Sequence, residues 1–182
     1  MRLNCCRGLV GLGLLLLAVS PCLSQRRRDP LTPPEIDQLR DTAMEPEERL
    51  KLYVKFAQAR MTSLEQMRAD PKVTDRARKT HDQLEDFLAL YDELNDNVDT
   101  YVDRKDDIRK PLKVIIEADT EFQAKLRALK NAAGTTTEEA KKYEFVLSNV
   151  LDTVDGSAED HRKLLVEQEE AAKRKKKNPT GH

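Results

Sequence analysis

Residues 84–101 read LEDFLALYDELNDNVDTY, and this stretch decides the fold. Its large apolar side chains recur at alternating steps of three and four residues. They are Leu84, Phe87, Tyr91, Leu94, Val98 and Tyr101. Because 3.6 residues complete a helical turn, this spacing places all six on one face of an α-helix. The opposite face is left to acidic and amide side chains, so the stretch predicts an amphipathic helix packed against other elements.

Apolar stripes with the same spacing occur in three further segments. The stripes are Leu50, Val54, Ala57, Met61, Leu64 and Met67; Leu112, Ile115, Phe122, Leu126 and Leu129; and Ala140, Tyr143, Leu147, Val150 and Val154. No segment alternates apolar and polar residues with a period of two. We therefore predict an all-α fold, with an elongated antiparallel four-helix bundle over residues 45–172. An N-terminal basic segment and a short helix at residues 33–43 precede it, within residues 25–44.

Capping signals mark where helices begin. Thr32, followed three residues later by Glu35, predicts the start of the short helix. Thr136 and Glu139 form a second such box after a helix stop at Gly134. Each box can satisfy backbone N–H groups that the first helical turn leaves without partners.

Two further boundaries are predicted from proline and glycine. Asp70 can cap the second long helix with Pro71 in its first turn, where proline is tolerated. Gly156 is expected to end a helix, and Ser157 to cap the last one, which would run into the basic C-terminus.

The joint at Pro111 leaves two architectures open. Proline inside a helix costs about 3 kcal/mol or more, which favours a chain reversal near this residue. The apolar register nevertheless runs unshifted through it, as in a spectrin-like coil with one long helix kinked at Pro111. A reversal would let the two polar seam residues, Lys105 and Asp119, face each other as an ion pair. We favour the reversal for that reason.

The first 24 residues have the features of a secretory signal peptide. Arg2 and Arg7 flank a basic start, and residues 8–20 are small or aliphatic. This run is shorter than the roughly 20 apolar residues that a membrane span needs. We predict export with cleavage after Ser24, to the periplasm or the exterior. Lipidation of Cys22 and retention as an anchor are the alternatives.

All cysteines, Cys5, Cys6 and Cys22, lie in this leader. A chain that begins at Gln25 would therefore have no disulfide, thiolate nucleophile or cysteine metal site.

Charge is unevenly distributed along the chain. Residues 29–172 carry 33 acidic and 22 basic side chains. Three arginines lie at 26–28 and five basic residues at 173–177, so an acidic body is predicted between basic ends. Residues 173–182 are expected to form a disordered tail.

Two charged stretches are candidate binding surfaces. The first is an acidic docking face with residues at helical spacing: Asp92, Asp96, Asp99, Asp103 and Asp106. The second is a basic cluster for contact with an anionic membrane surface: Lys173, Arg174, Lys175, Lys176 and Lys177. A solvated face and a solubilising tail are the structural alternatives. Nucleic acid is not expected as a partner, because the protein is predicted to be exported.

The sequence contains no recognisable catalytic or cofactor motif. His81, His161 and His182 lack ligand spacing and are expected to be exposed and unliganded. No GxSxG, HExxH or phosphate-loop motif is present. The prediction is a non-enzymatic helical interaction or scaffold protein of the cell envelope, with no cofactor and with an unknown protein or envelope partner. The alternatives are an ion- or cofactor-binding bundle and a membrane-surface protein that binds through its basic tail.

Overall fold

A computed structural model of the 182-residue chain describes residues 29–132 and 137–177. Within these ranges the regular elements are six helices: α1 (Pro33–Asp41), α2 (Pro46–Ala69), α3 (Arg76–Asp103), α4 (Arg109–Lys130), α5 (Thr137–Lys141) and α6 (Glu144–Lys177). The all-α prediction is confirmed for this part of the chain. The expected signal peptide with its cleavage point at Ser24 lies outside the described residues, as do Gly134, Thr136 and His182.

The N-terminal helices begin where the sequence predicts. The backbone N–H of Thr32 donates to Glu35 Oε2 at 2.7 Å, so Glu35 caps the start of α1. Pro46 is the first residue of α2, a position whose N–H has no partner within the helix. α2 ends at Ala69, just before the Asp70–Pro71 pair.

Two predicted boundaries are wrong. α3 begins at Arg76 rather than after Asp70, because the Asp70 carboxylate accepts the Lys72 N–H at 2.9 Å and holds a turn instead of a helix cap. α6 continues through Gly156 without a break. A glycine inside a helix costs about 1 kcal/mol relative to alanine, and burial of the neighbouring Val154 and Ala158 offsets that cost.

The predicted apolar stripes form one core. Leu84, Phe87 and Tyr91 of α3 are fully buried, as are Leu112 and Phe122 of α4. In α2 and α6 the stripe residues from Leu50 to Leu64 and from Leu147 to Val154 are also buried, and these helices contribute to the same cluster. At the centre, the Phe87 and Phe122 rings meet edge to face with centroids 5.0 Å apart.

Polar contacts fix the direction of each helix relative to its neighbours. Arg49–Asn97 and Arg68–Thr80 show that α2 and α3 are antiparallel. Gln58–Glu121 and Glu65–Lys125 show that α2 and α4 are parallel. α3 and α6 are parallel, as the contacts Asn95–Ser157 and Ile108–Gln168 show. α4 and α6 are antiparallel, as the contacts Gln123–Asp155 and Lys113–Glu169 show. The C-terminal ends of α3 and α6 therefore lie at the same end of the molecule.

The chain reverses between α3 and α4, which face each other across the core. The turn at residues 104–108 places Pro111 in the first turn of α4, where its missing N–H is tolerated. Two bonds close the end of α3: the Lys105 N–H donates to the Val102 carbonyl at 2.8 Å, and the Asp106 N–H donates to the Tyr101 carbonyl at 2.9 Å. This is the Schellman arrangement, with Lys105 at the position that glycine usually occupies.

Among the described helices, none is both long enough and apolar enough to cross a membrane.

Candidate functional site

The acidic face predicted from the sequence is largely a feature of one helix. Asp92, Asp96, Asp99 and Asp103 are all exposed on the side of α3 that points away from the core. Asp106 is separate from them, because it lies in the turn after α3 and is half-buried beside Arg104, with 3.2 Å between its Oδ2 and the Arg104 Nε. We refer to the four exposed aspartates of α3 as the acidic face.

Neighbouring helices border the acidic face through the two asparagines that alternate with its aspartates. On one side Asn95 donates to the Ser157 hydroxyl of α6 at 2.9 Å, and on the other Asn97 accepts from Arg49 of α2 at 2.9 Å. Residues 82–103 contain eight acidic side chains and no lysine or arginine. Within the described part of the chain, Asp96, Asp99 and Asp103 form no ion pair.

This charge is unfavourable where it lies. The C-terminal end of a helix carries a partial negative charge, and the last turn of α3 has no basic side chain to offset it. Asp99 and Asp103 are also four residues apart, so two like charges are neighbours on the helix surface. The acidic face therefore lowers the stability of α3 rather than raising it.

The basic cluster is part of a helix. Residues 173–177 form the end of α6 and are exposed, so the expectation of a disordered tail is wrong for these five; residues 178–182 lie outside the described chain. Arg174 is 3.3 Å from Glu170 within the same helix. The cluster continues the helix of α6 as far as Lys177.

The expected ion pair between Lys105 and Asp119 is not formed. Lys105 lies beyond the end of α3, is exposed, and has a left-handed backbone with φ of 63°. Asp119 is fully buried on α4 and bonds to other groups. The physical reason is that the Schellman turn ends the helical register at Asp103 and carries Lys105 out of the seam.

Asp119 instead joins three helices through a buried cluster. The Tyr91 hydroxyl of α3 donates to Asp119 Oδ1 at 2.7 Å, and His161 Nδ1 of α6 lies 2.9 Å from Asp119 Oδ2. Only 4% of His161 is exposed, which corrects the prediction that it is a surface residue. Burial, and next the neighbouring Asp119 carboxylate, raise the pKa of Tyr91 far above its ordinary value, so its hydroxyl keeps its proton and acts as the donor.

A carboxylate that orients a histidine ring is also an arrangement used in catalysis. Here the carboxylate has no exposed surface and the ring almost none, so a substrate could reach them only after the helices separate. The geometry suits a polar joint that fixes how α3, α4 and α6 pack.

The remaining histidine of the described chain has a different setting. His81 Nδ1 lies 3.8 Å from carboxylate oxygens of Asp82 and Glu85, on the surface of α3. No group of three or more histidine, cysteine, aspartate or glutamate side chains in the described ranges has the geometry to hold a metal ion.

Sequence reasoning missed the Tyr91–Asp119–His161 cluster, although a signal for it was present. The apolar register of the last helix runs from Val150 and Val154 through Ala158 to His161, in steps of four, four and three. Because the helix predicted from the sequence ends at Gly156, its apolar register stops short of His161.

Comparisons with known proteins add no relative: no protein-family model matches the chain, and neither curated proteins nor solved structures give a match.

Proposed function

We propose that this protein is a non-enzymatic interaction protein of the cell envelope, built as an elongated four-helix bundle that binds a basic partner segment on the acidic face. The observation that carries the proposal is the run of eight acidic side chains without a lysine or arginine at residues 82–103. Asp99 and Asp103, two of its exposed members, lie at the C-terminal end of α3, where helix electrostatics disfavour them. Charge that lowers stability is a common property of binding surfaces.

The accessible chemistry of the described chain supports binding rather than turnover. The groups that a partner can reach are charged side chains on helix surfaces, whereas the Tyr91–Asp119–His161 cluster is closed to solvent. A surface of one charge sign attracts an oppositely charged partner over a distance and speeds its association. The expected partner is a protein segment rich in lysine and arginine, and its binding should weaken as salt increases.

Site-specific photo-crosslinking in intact cell envelopes tests the proposal. A photoreactive residue at Asp96 reports on the acidic face. A matched control carries the same residue at Glu117, an exposed acidic position on α4 at the opposite side of the core. We expect adducts from position 96 alone, with the crosslinked partner peptides rich in basic residues. Neutralising Asp92, Asp99 and Asp103 to asparagine should reduce their yield roughly tenfold, because exposed charge pairs contribute about 0.5 kcal/mol each.

Two outcomes would contradict the proposal. One is the same adduct pattern from positions 96 and 117. The other is a protein that purifies with a Soret band, or with stoichiometric metal after dialysis, since either would favour the ion- or cofactor-binding alternative. Adducts that join position 96 to residues 173–177 of a second copy of this chain would identify the basic cluster as the partner segment.

A further inference from the structure

α6 extends beyond the rest of its end of the molecule. The Gln168 side chain accepts the Ile108 N–H at 3.2 Å and donates to the Asp106 carbonyl at 3.2 Å, so Gln168 lies level with the α3–α4 turn. Nine more helical residues follow, to Lys177. At a rise of 1.5 Å per residue, they carry the end of α6 about 13 Å past the turn.

The projecting segment begins with Glu169 and Glu170 and ends in bases that point to every side of the helix. Residues 173–177 are five consecutive bases, and successive residues on a helix are rotated by about 100°, so their side chains surround the axis. Arg174 pairs with Glu170, whereas Lys173, Lys175, Lys176 and Lys177 have no acidic partner among the described residues. Charge distributed around a helix tip suits end-on contact with an extended anionic surface better than insertion into a groove.

A second, independent observation lies across from this tip. Lys105 and Lys175 line the same cleft, of about 530 Å³, between the α3–α4 turn and α6, which Asp106, Asp107 and Glu167 also line. Lys105 has a left-handed backbone at a position where glycine would be unstrained. Backbone strain of this kind clusters at functional sites, and among the described residues Asp75 is the other non-glycine example. Lys105 adds a sixth base at this end of the molecule, from a different part of the chain.

We propose that Lys105 and residues 173–177 form one basic end that binds the anionic headgroup surface of a lipid bilayer. Each lysine near such a surface contributes about a fivefold gain in affinity, so several unpaired lysines suffice without an inserted apolar group. The projection also places Lys177, the last described residue of α6, about 13 Å past the α3–α4 turn, farther than the screening length of roughly 8 Å at physiological salt, so the acids of the turn and of α3 repel an anionic surface less at that end.

Vesicle co-sedimentation tests the proposal on protein purified after export. Vesicles of phosphatidylcholine alone are compared with vesicles that also contain phosphatidylglycerol. Lys105→Gly should weaken binding to the anionic vesicles about fivefold, and Lys175→Gln with Lys176→Gln and Lys177→Gln roughly a hundredfold. The matched control, Lys55→Gln with Lys72→Gln and Lys130→Gln, removes three exposed lysines elsewhere and should bind like the wild type.

Lys105→Gly separates a binding role from a folding defect. Because glycine relieves the left-handed strain, this variant should have a higher Tm than the wild type while binding anionic vesicles less tightly. The proposal is overturned by equal binding to the two vesicle types, by wild-type affinity in both basic-end variants, or by an equal loss in the control. Displacement of the protein by free inorganic phosphate at constant ionic strength would also overturn it, because the site would then bind a soluble anion rather than respond to screening. All these outcomes are independent of crosslinking at the acidic face.

Discussion

α3 and α6 run side by side in the same direction, yet their C-terminal ends carry opposite charge. The last turn of α3 has one aspartate, Asp103, and no base, whereas the last turn of α6 has Arg174 and three lysines. Helix C-termini attract cations and repel anions. The end of α6 therefore has the charge that favours a helix, and the end of α3 has the charge that opposes one.

This difference shows which surface needs a functional explanation. The sign of charge on α6 is accounted for by helix stability alone, so only its projection and the strained Lys105 point to a role in binding. On α3 the sign itself is unexplained by stability. The proposed binding of a basic partner would account for acids that the helix would be more stable without.

The largest predicted effect on stability concerns the buried Tyr91–Asp119–His161 cluster, which links α3 and α6 through α4. Asp119→Ala removes the group that links Tyr91 of α3 with His161 of α6 and leaves both without their buried partner. We expect the free energy of unfolding, measured by urea denaturation, to fall by about 3–5 kcal/mol. Spectroscopic probes on α3 and α6 should lose structure together, since one residue supports both.

Asp119→Asn is the matched control for this experiment. Its carboxamide keeps the shape of the side chain, can accept from Tyr91, and can donate to a neutral His161 ring. We expect a smaller loss, of about 1–2 kcal/mol. A loss below about 1 kcal/mol in Asp119→Ala would show that the cluster is not a joint.

The sequence predicts α3 well because its fold is determined locally. The stripe from Leu84 to Tyr101 needs only helical periodicity to be identified, and every member is buried. The wrong helix boundaries occur at residues whose side chain or backbone is compatible with two different local structures. Asp70 can cap a helix or hold a turn, and Gly156 can end a helix or be carried by the packing of its neighbours. Sequence alone does not decide between such uses, because tertiary contacts determine the outcome.

The same reasoning explains what was missed at the candidate site. The exposed aspartates of α3 follow from helical spacing, so the acidic face could be predicted from the sequence. The partners of Asp119 could not, because pairing it with Lys105 assumed that the seam register continued past Asp103. Finding His161 instead requires knowing that α6 is continuous and lies beside α4.

The second prediction concerns the strained residue at the end of α3. Lys105→Gly should raise the free energy of unfolding by about 1 kcal/mol, because glycine adopts the left-handed conformation without a Cβ clash. Lys105→Ala removes the amine but keeps the Cβ, so its stability should stay close to that of the wild type. An equal gain in both variants would attribute the effect to the charge rather than to the backbone.

The third prediction tests the opposite charges directly, with one substitution on each helix. Asp103→Asn should raise stability by about 0.3–1 kcal/mol, because it removes an anion from the negative end of α3 and a like-charge neighbour of Asp99. Lys176→Gln should lower it by a few tenths of a kcal/mol, since it removes a cation from the same kind of site. Urea denaturation, with hydrogen exchange at the two helix ends, measures both. Changes of the same sign would remove the electrostatic basis of the comparison.

The smallest predicted effect on stability comes from Asp107, an acid that is paired with Arg109 and lies just beyond the acidic face. Asp107 follows α3 in the turn, and a hydrogen bond from the Arg109 guanidinium holds the pKa of its carboxyl at about 2, below the ordinary 3.8. Because the folded-state pKa is the lower one, this pair stabilises the fold fully above pH 3.8, and the contribution disappears as the pH falls towards 2. The stabilisation is small, since 62% of the Asp107 side chain is exposed.

An NMR titration of the Asp107 carboxyl carbon measures this shift. In Arg109→Gln the pKa should return towards 3.8, and in Arg104→Gln it should stay low, because Arg104 pairs with Asp106 instead. Unchanged titration in Arg109→Gln would show that the guanidinium is not the cause. Asp107 in the turn is ionised and paired with Arg109, whereas Asp99 and Asp103 of α3 form no ion pair within the described chain. The acidic face therefore ends with α3, and it is limited to the helix surface that the proposed partner can reach.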